Sequence, residues 1–161
     1  MVLSCLKEDD CMKKDYLDKR YIFFRDSQRC YYCNKLLKIK QITLDHYQPR
    51  SLGGTDDYFN LVTCCKRCNK FKGKIVPTDA EVIQLKLFKR AISDCKIISR
   101  VKNVNQKSLE RMLNYTTSIE CKGGIAEIRG DDFTLYIEKN KVIRADGNTL
   151  EYINRSFKDE N

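Results

Sequence analysis

CYYCNKLLKIKQITLDHYQPRSLGGTDDYFNLVTCCKRCNKFKG, residues 30–73, holds two Cys-x2-Cys pairs, the chain's only histidine, an aspartate directly before it and two asparagines after it. A two-residue gap lets one tight turn aim both thiolates at one ion. Cys30/Cys33 and Cys65/Cys68 therefore have the spacing of a tetrahedral zinc site. Cys64 offers a second candidate for one position, because Cys64 and Cys65 both precede Cys68. Between the pairs stand Leu44-Asp45-His46, Pro49-Arg50-Ser51-Leu52-Gly53-Gly54 and Asn60-Leu61-Val62-Thr63, with Ser51 to Asp57 turn-rich and read as an ordered loop; Asn69-x2-Lys72-Gly73 follows.

This ordered string resembles the HNH endonuclease family in its His-Asn-Asn form with a four-cysteine zinc-knuckle. The resemblance implies an α+β fold with a ββα-metal core, and it selects Cys65 over Cys64 as the fourth structural zinc ligand. It makes His46 the general base that activates water, a task suited to a side chain with an unperturbed pKa of about 6.5. Asp45, a hard carboxylate ligand, and the Asn69 amide oxygen would hold a catalytic Mg²⁺ or Mn²⁺. Asn60 would pin the loop that orients the histidine. A knuckle with four thiolates has no open position for water, so the catalytic metal must be a second ion. Neighbouring strand residues face opposite ways, so Asp45 and His46 need a bend or bulge to serve one site. Lys72 would reach a phosphate oxygen, and Arg50, Lys66, Arg67, Lys70 and Lys74 are expected at the DNA backbone. The implied substrate is double-stranded DNA, nicked one strand per site. Paired cuts would need a dimer or a second event, and the C-terminal segment could bind a second copy, as a homodimer, or a partner protein. The alternative is a zinc-stabilised nucleic-acid-binding module without catalysis.

Outward from the motif, the charge supports a polyanionic ligand. The net charge is +9, and residues 29–78 carry ten Lys/Arg against three Asp/Glu. Residues 117–161 are slightly acidic, with seven against nine, which makes broad phosphate contact by the tail the least expected of its roles. There is no run of about 18 apolar residues and no secretory signal, so a cytoplasmic, non-membrane protein is expected. Cys5, Cys11, Cys95 and Cys121 fall outside any Cys-x2-Cys spacing and read as packing residues.

Residues 13–26 place Leu17, Tyr21 and Phe24 at helical spacing, which predicts a helix bracing the knuckle. Residues 36–46 read as a strand, Asn60–Thr63 as its return and 66–74 as a short basic helix. Thr78 and Glu81 form a capping-box pattern before a helix with Leu85, Phe88, Ile92 and Cys95 on one stripe. A further helix is expected over 106–115, with Leu109, Met112 and Leu113 on one side. From about Thr117 the period becomes two, which predicts a small C-terminal β-meander with a hairpin turn at Asp146-Gly147, entered by Val142–Ile143 and left by Leu150–Tyr152. The expected division is a nuclease domain over 1–78, a helical segment over 79–116 and a β-rich appendage over 117–161.

Overall fold

The computed structural model describes residues 17–147. A short helix α1 (Lys19–Arg25) leads into the cysteine turn, followed by β1 (Ile42–His46), β2 (Leu61–Cys65) and α2 (Lys66–Lys72). Helix α3 (Ala80–Ser93), the two-residue β3 (Ile98–Ser99) and α4 (Gln106–Met112) come next. Four strands complete the described residues: β4 (Thr116–Lys122), β5 (Ile125–Gly130), β6 (Phe133–Glu138) and β7 (Lys141–Gly147). The fold is α+β, with a ββα unit and a β-meander as expected. Among the described residues no helix is long and apolar enough to cross a membrane.

β1 and β2 pair antiparallel from Ile42↔Cys65 to His46↔Leu61. The second sheet has the order β3-β7-β6-β5-β4, antiparallel except that β3 runs parallel to β7. One hydrophobic cluster runs through both parts. It joins Tyr47, Phe59, Leu61 and Val62 of the hairpin region to Phe88 and Ile92 of α3 and to Ile128, Leu135 and Val142 of the meander. Full burial of one such side chain contributes about 1.5–3 kcal/mol. A second small cluster, with Phe23, Cys30, Leu37, Ile42 and Cys64, lies under the cysteine turn.

Three local expectations are corrected. Helix α1 is capped by Asp18, whose Oδ1 accepts from the Arg20 and Tyr21 N–H groups, and it spans only seven residues. It buries Ile22 in the large cluster and Phe23 in the small one, while Phe24 is 62% exposed. A helix wedged between two clusters buries adjacent residues, not a single stripe. Residues 13–16 of the expected helix lie outside the described residues.

At α3 the N-cap is Asp79, without a side-chain cap bond, so the Thr78/Glu81 box is not formed. Asp79 Oδ1 instead accepts from Tyr47 Oη at 2.9 Å, and Glu81 Oε1 faces the Ile119 N–H. Tertiary partners took both groups. The buried face of α3 is Ala80, Gln84, Leu87, Phe88, Ala91 and Ile92, and it leaves Leu85 and Cys95 half-buried.

The third correction concerns the last hairpin among the described residues. Asp146 and Gly147 lie within β7, and the turn is Lys139-Asn140, both with positive φ (49° and 61°). Asn140 accepts that backbone because two tertiary bonds reward it: its N–H donates to Asp57 Oδ1 at 2.5 Å, and its Oδ1 accepts from Tyr58 N–H at 2.6 Å. Gly147 instead pairs with Phe133, at φ 127°, where an added Cβ would fall 2.0 Å from Asp132 O. Leu150–Tyr152 lie outside the described residues.

Candidate functional site

The first cysteine turn is closed by Asn34, whose N–H donates to Cys30 O at 2.8 Å and whose φ of 60° lets the chain reverse. Tyr31 N–H donates to Thr63 O at 2.9 Å and fastens the turn to β2. Cys65 is the N-cap of α2, and its Sγ accepts from Cys68 N–H at 3.5 Å. The Sγ atoms of Cys30, Cys33, Cys65 and Cys68 all lie within 4.8 Å of one another. A tetrahedral zinc with bonds of about 2.3 Å sets its sulfurs about 3.8 Å apart, so the cluster fits structural zinc. Burial pushes the Cys30 thiol up, but the N–H groups of Cys33, Cys65 and Tyr32 outweigh it and bring its pKa down to about 6. Cys64 is outside this group of four and lies buried in the small core cluster beside Cys30, where burial raises its pKa.

β1 ends at His46, whose Nε2 lies 2.7 Å from Asp56 Oδ1. Arg50 closes the group, with Nε 2.7 Å and Nη2 2.6 Å from the same oxygen. Burial pushes the Asp56 carboxyl up, yet hydrogen bonds from His46 and Arg50 hold it below its ordinary range. Arg50 Nε also lies 3.2 Å from His46 Nε2, but its contact with Asp56 Oδ1 is the shorter one, and an ionised carboxylate only accepts, which assigns the proton to Nε2. In the neutral ring that leaves the lone pair on Nδ1, which makes no hydrogen bond among the described residues.

The loop between His46 and Asp56 is held from within by the buried Asn60. Its Oδ1 accepts from Gln48 N–H at 2.9 Å, and its Nδ2 donates to Gln48 O at 3.0 Å and Thr55 O at 2.8 Å. Gln84 Nε2 donates to Asn60 Oδ1 at 2.8 Å. Gly54 is required here, since an added Cβ would fall 1.8 Å from Gln48 O. From the meander side, Gln48 Nε2 reaches Cys121 O at 3.2 Å. The loop thus rests on the second sheet.

The β1–β2 register runs unbroken through Asp45 and His46, so the bend expected there is not formed. The two side chains leave opposite sides of the strand. Asp45 faces α2, where Lys72 Nζ lies 3.0 Å from its Oδ2, and Tyr32 Oη donates to the same oxygen at 2.5 Å. Lys72 Nζ also donates to His46 O at 2.8 Å. Lys72, expected at a phosphate, is 8% exposed. Asn69 Nδ2 donates to Thr43 Oγ1 at 3.1 Å, which leaves Asn69 Oδ1 without a hydrogen bond among the described residues. Arg50, Lys66, Arg67, Lys70 and Lys74 are all exposed, as phosphate contacts must be. Phe71 stands among the last four, 89% exposed.

Residues 30–82 match the family model described as HNH endonuclease. This segment resembles an HNH domain. No curated protein and no solved structure matches the chain. The segment carries the four-cysteine cluster that could hold a metal ion, and the family it matches is one of nucleases acting on nucleic acid. Several residues that shape its site were not foreseen. Asp56 and Asp57 read as turn formers, although they are two of only three carboxylates between residues 29 and 78. That rarity was the available signal. Gln84, Cys121 and Asn140 lie beyond the matched HNH segment, and no local pattern marks them as its supports.

Proposed function

We propose that the chain is a metal-dependent DNA endonuclease that hydrolyses phosphodiester bonds and nicks one strand per active site. The observation that carries this reading is the His46 ring, held through Nε2 by Asp56 with Nδ1 left open. An imidazole so oriented can take a proton from water at Nδ1 while Asp56 stabilises the charge that develops. Asp45 and Asn69 Oδ1 are hard oxygen donors facing the same helix–strand seam, and they would hold Mg²⁺ or Mn²⁺. That ion would neutralise charge on the phosphate and assist the leaving oxygen. Because His46 is the last residue of β1 and pairs with Leu61, the first of β2, the reading sets the scissile phosphate at the loop end of the hairpin, within reach of both faces. Arg50, Lys66, Arg67, Lys70 and Lys74 would meet the backbone of double-stranded DNA. A double-strand break would need a second copy or a second visit.

One observation favours a zinc-stabilised nucleic-acid-binding module instead: Asp45 already carries a lysine. Incubation with supercoiled plasmid separates the two. Open circles that require both Mg²⁺ and His46 are the expected product, and His46→Ala should lower the rate by about 10²–10⁴. Plasmid that is bound and never cut would select the binding module.

A further inference from the structure

We infer that Lys72 is the resident cation of the Asp45 site, and that a divalent metal gains this carboxylate only as the Lys72 ammonium gives it up. This rests on the reading of Asp45 as a metal ligand.

The geometry is that of a filled position. Thr43 and Asp45 alternate onto the face of β1 that meets α2, and Asn69 and Lys72, three residues apart, share one side of the helix. Two rungs result: Asn69 on Thr43 and Lys72 on Asp45. The ammonium is bound by a carboxylate oxygen and a carbonyl oxygen, Asp45 Oδ2 and His46 O, a hard-oxygen set of the kind a divalent cation uses. Both side chains are more than nine-tenths buried, and a carboxylate so enclosed without a counter-charge would be strongly disfavoured. Lys72 meets that need when no metal is bound. Its flexible four-carbon stem allows the ammonium to move to another anion, which the rigid Asn69 amide cannot do.

Two consequences follow. Metal binding to the free protein is weakened by the ammonium it must displace. A DNA phosphate that draws Lys72 outward releases Asp45, so DNA and metal bind with mutual reinforcement. A charge within about 4–6 Å shifts a neighbouring charge equilibrium by about 10- to 1000-fold, and removing Lys72 should tighten metal binding by at least tenfold on that scale.

Mn²⁺ binding to the full chain with its zinc retained, followed by electron paramagnetic resonance, tests this without any turnover. Lys72→Met should bind Mn²⁺ at least about tenfold more tightly than the wild type. Lys72→Arg should not, because it keeps the cation. If Lys72→Met fails to fold, Lys72→Gln, which can still donate to His46 O, serves in its place. Adding Asp45→Asn to either neutral variant should abolish the gain. Unchanged Mn²⁺ affinity in the neutral variants, with binding still lost in Asp45→Asn, overturns the role of Lys72 and leaves Asp45 as a ligand. Full Mn²⁺ affinity in Asp45→Asn overturns both.

Discussion

His46 and Asp56 are ten residues apart in the chain and 2.7 Å apart in space, with the carboxylate on Nε2 of the ring. This contact selects the ring tautomer, so its loss should disturb chemistry more than folding. Asp56→Ala is expected to lower cleavage by about 10²-fold while leaving DNA affinity nearly unchanged. His46 is the only histidine, so its imidazole ¹⁵N resonances can be assigned without ambiguity. In the wild type at mildly alkaline pH they should report Nε2–H, and in Asp56→Ala a mixture of tautomers. A wild-type spectrum dominated by Nδ1–H would remove the base from the proposed position.

The two adjacent cysteines should behave oppositely. Cys65→Ser removes a thiolate from the four-sulfur cluster, so zinc content should fall and the domain unfold, since structural zinc contributes on the order of 10 kcal/mol. Cys64→Ser places a hydroxyl in an apolar cluster and should retain one zinc while losing about 1–3 kcal/mol. Elemental analysis with thermal melting reads both. Zinc lost from Cys64→Ser alone would reassign the ligand.

Asp57 should give stability a measurable pH dependence. Burial pushes its carboxyl up to about 6 against the opposing Asn140 N–H, and its Oδ2 is buried without a hydrogen bond. Its unfolded value is about 3.9, so in the native protein it holds its proton to higher pH. The acid is therefore most favourable below about pH 4, stability falls as pH rises toward 6, and the full penalty stands above that. Asp57→Asn should remove this slope and stabilise the protein by about 1–3 kcal/mol at pH 7.5. The difference between the two denaturation curves should vanish near pH 4. A difference independent of pH would show that Asp57 does not titrate in this window.

Asn140 tests the support of the site by the second sheet. Asn140→Gly keeps access to positive φ but removes the acceptor for Tyr58 N–H. A loss of about 1–3 kcal/mol is expected. Lower thermal stability with proportionately reduced cleavage would fit a bracing role, and unaltered melting would exclude it.

What the sequence determined by itself was the local chemistry. Cys-x2-Cys spacing dictates a turn that aims two sulfurs at one point, because it spans only a few residues, and the ββα unit is what the resemblance carried by Asp45-His46, Asn60 and Asn69 implies. The alternation after Thr117 likewise predicts strands. Partner choice is another matter. Whether Thr78 and Glu81 cap a helix, whether Asp146-Gly147 makes a turn, and whether Lys72 meets solvent or Asp45 each depend on groups dozens of residues away. The turn at Lys139-Asn140 is held because Asp57 and Tyr58 bind Asn140 across the interface. Phe24 took the exposed side of α1 because two clusters, not one, claimed its neighbours. Local pattern specifies which conformations a segment can adopt at low cost. Burial and the pairing of polar groups decide among them, and only the tertiary structure brings those partners together.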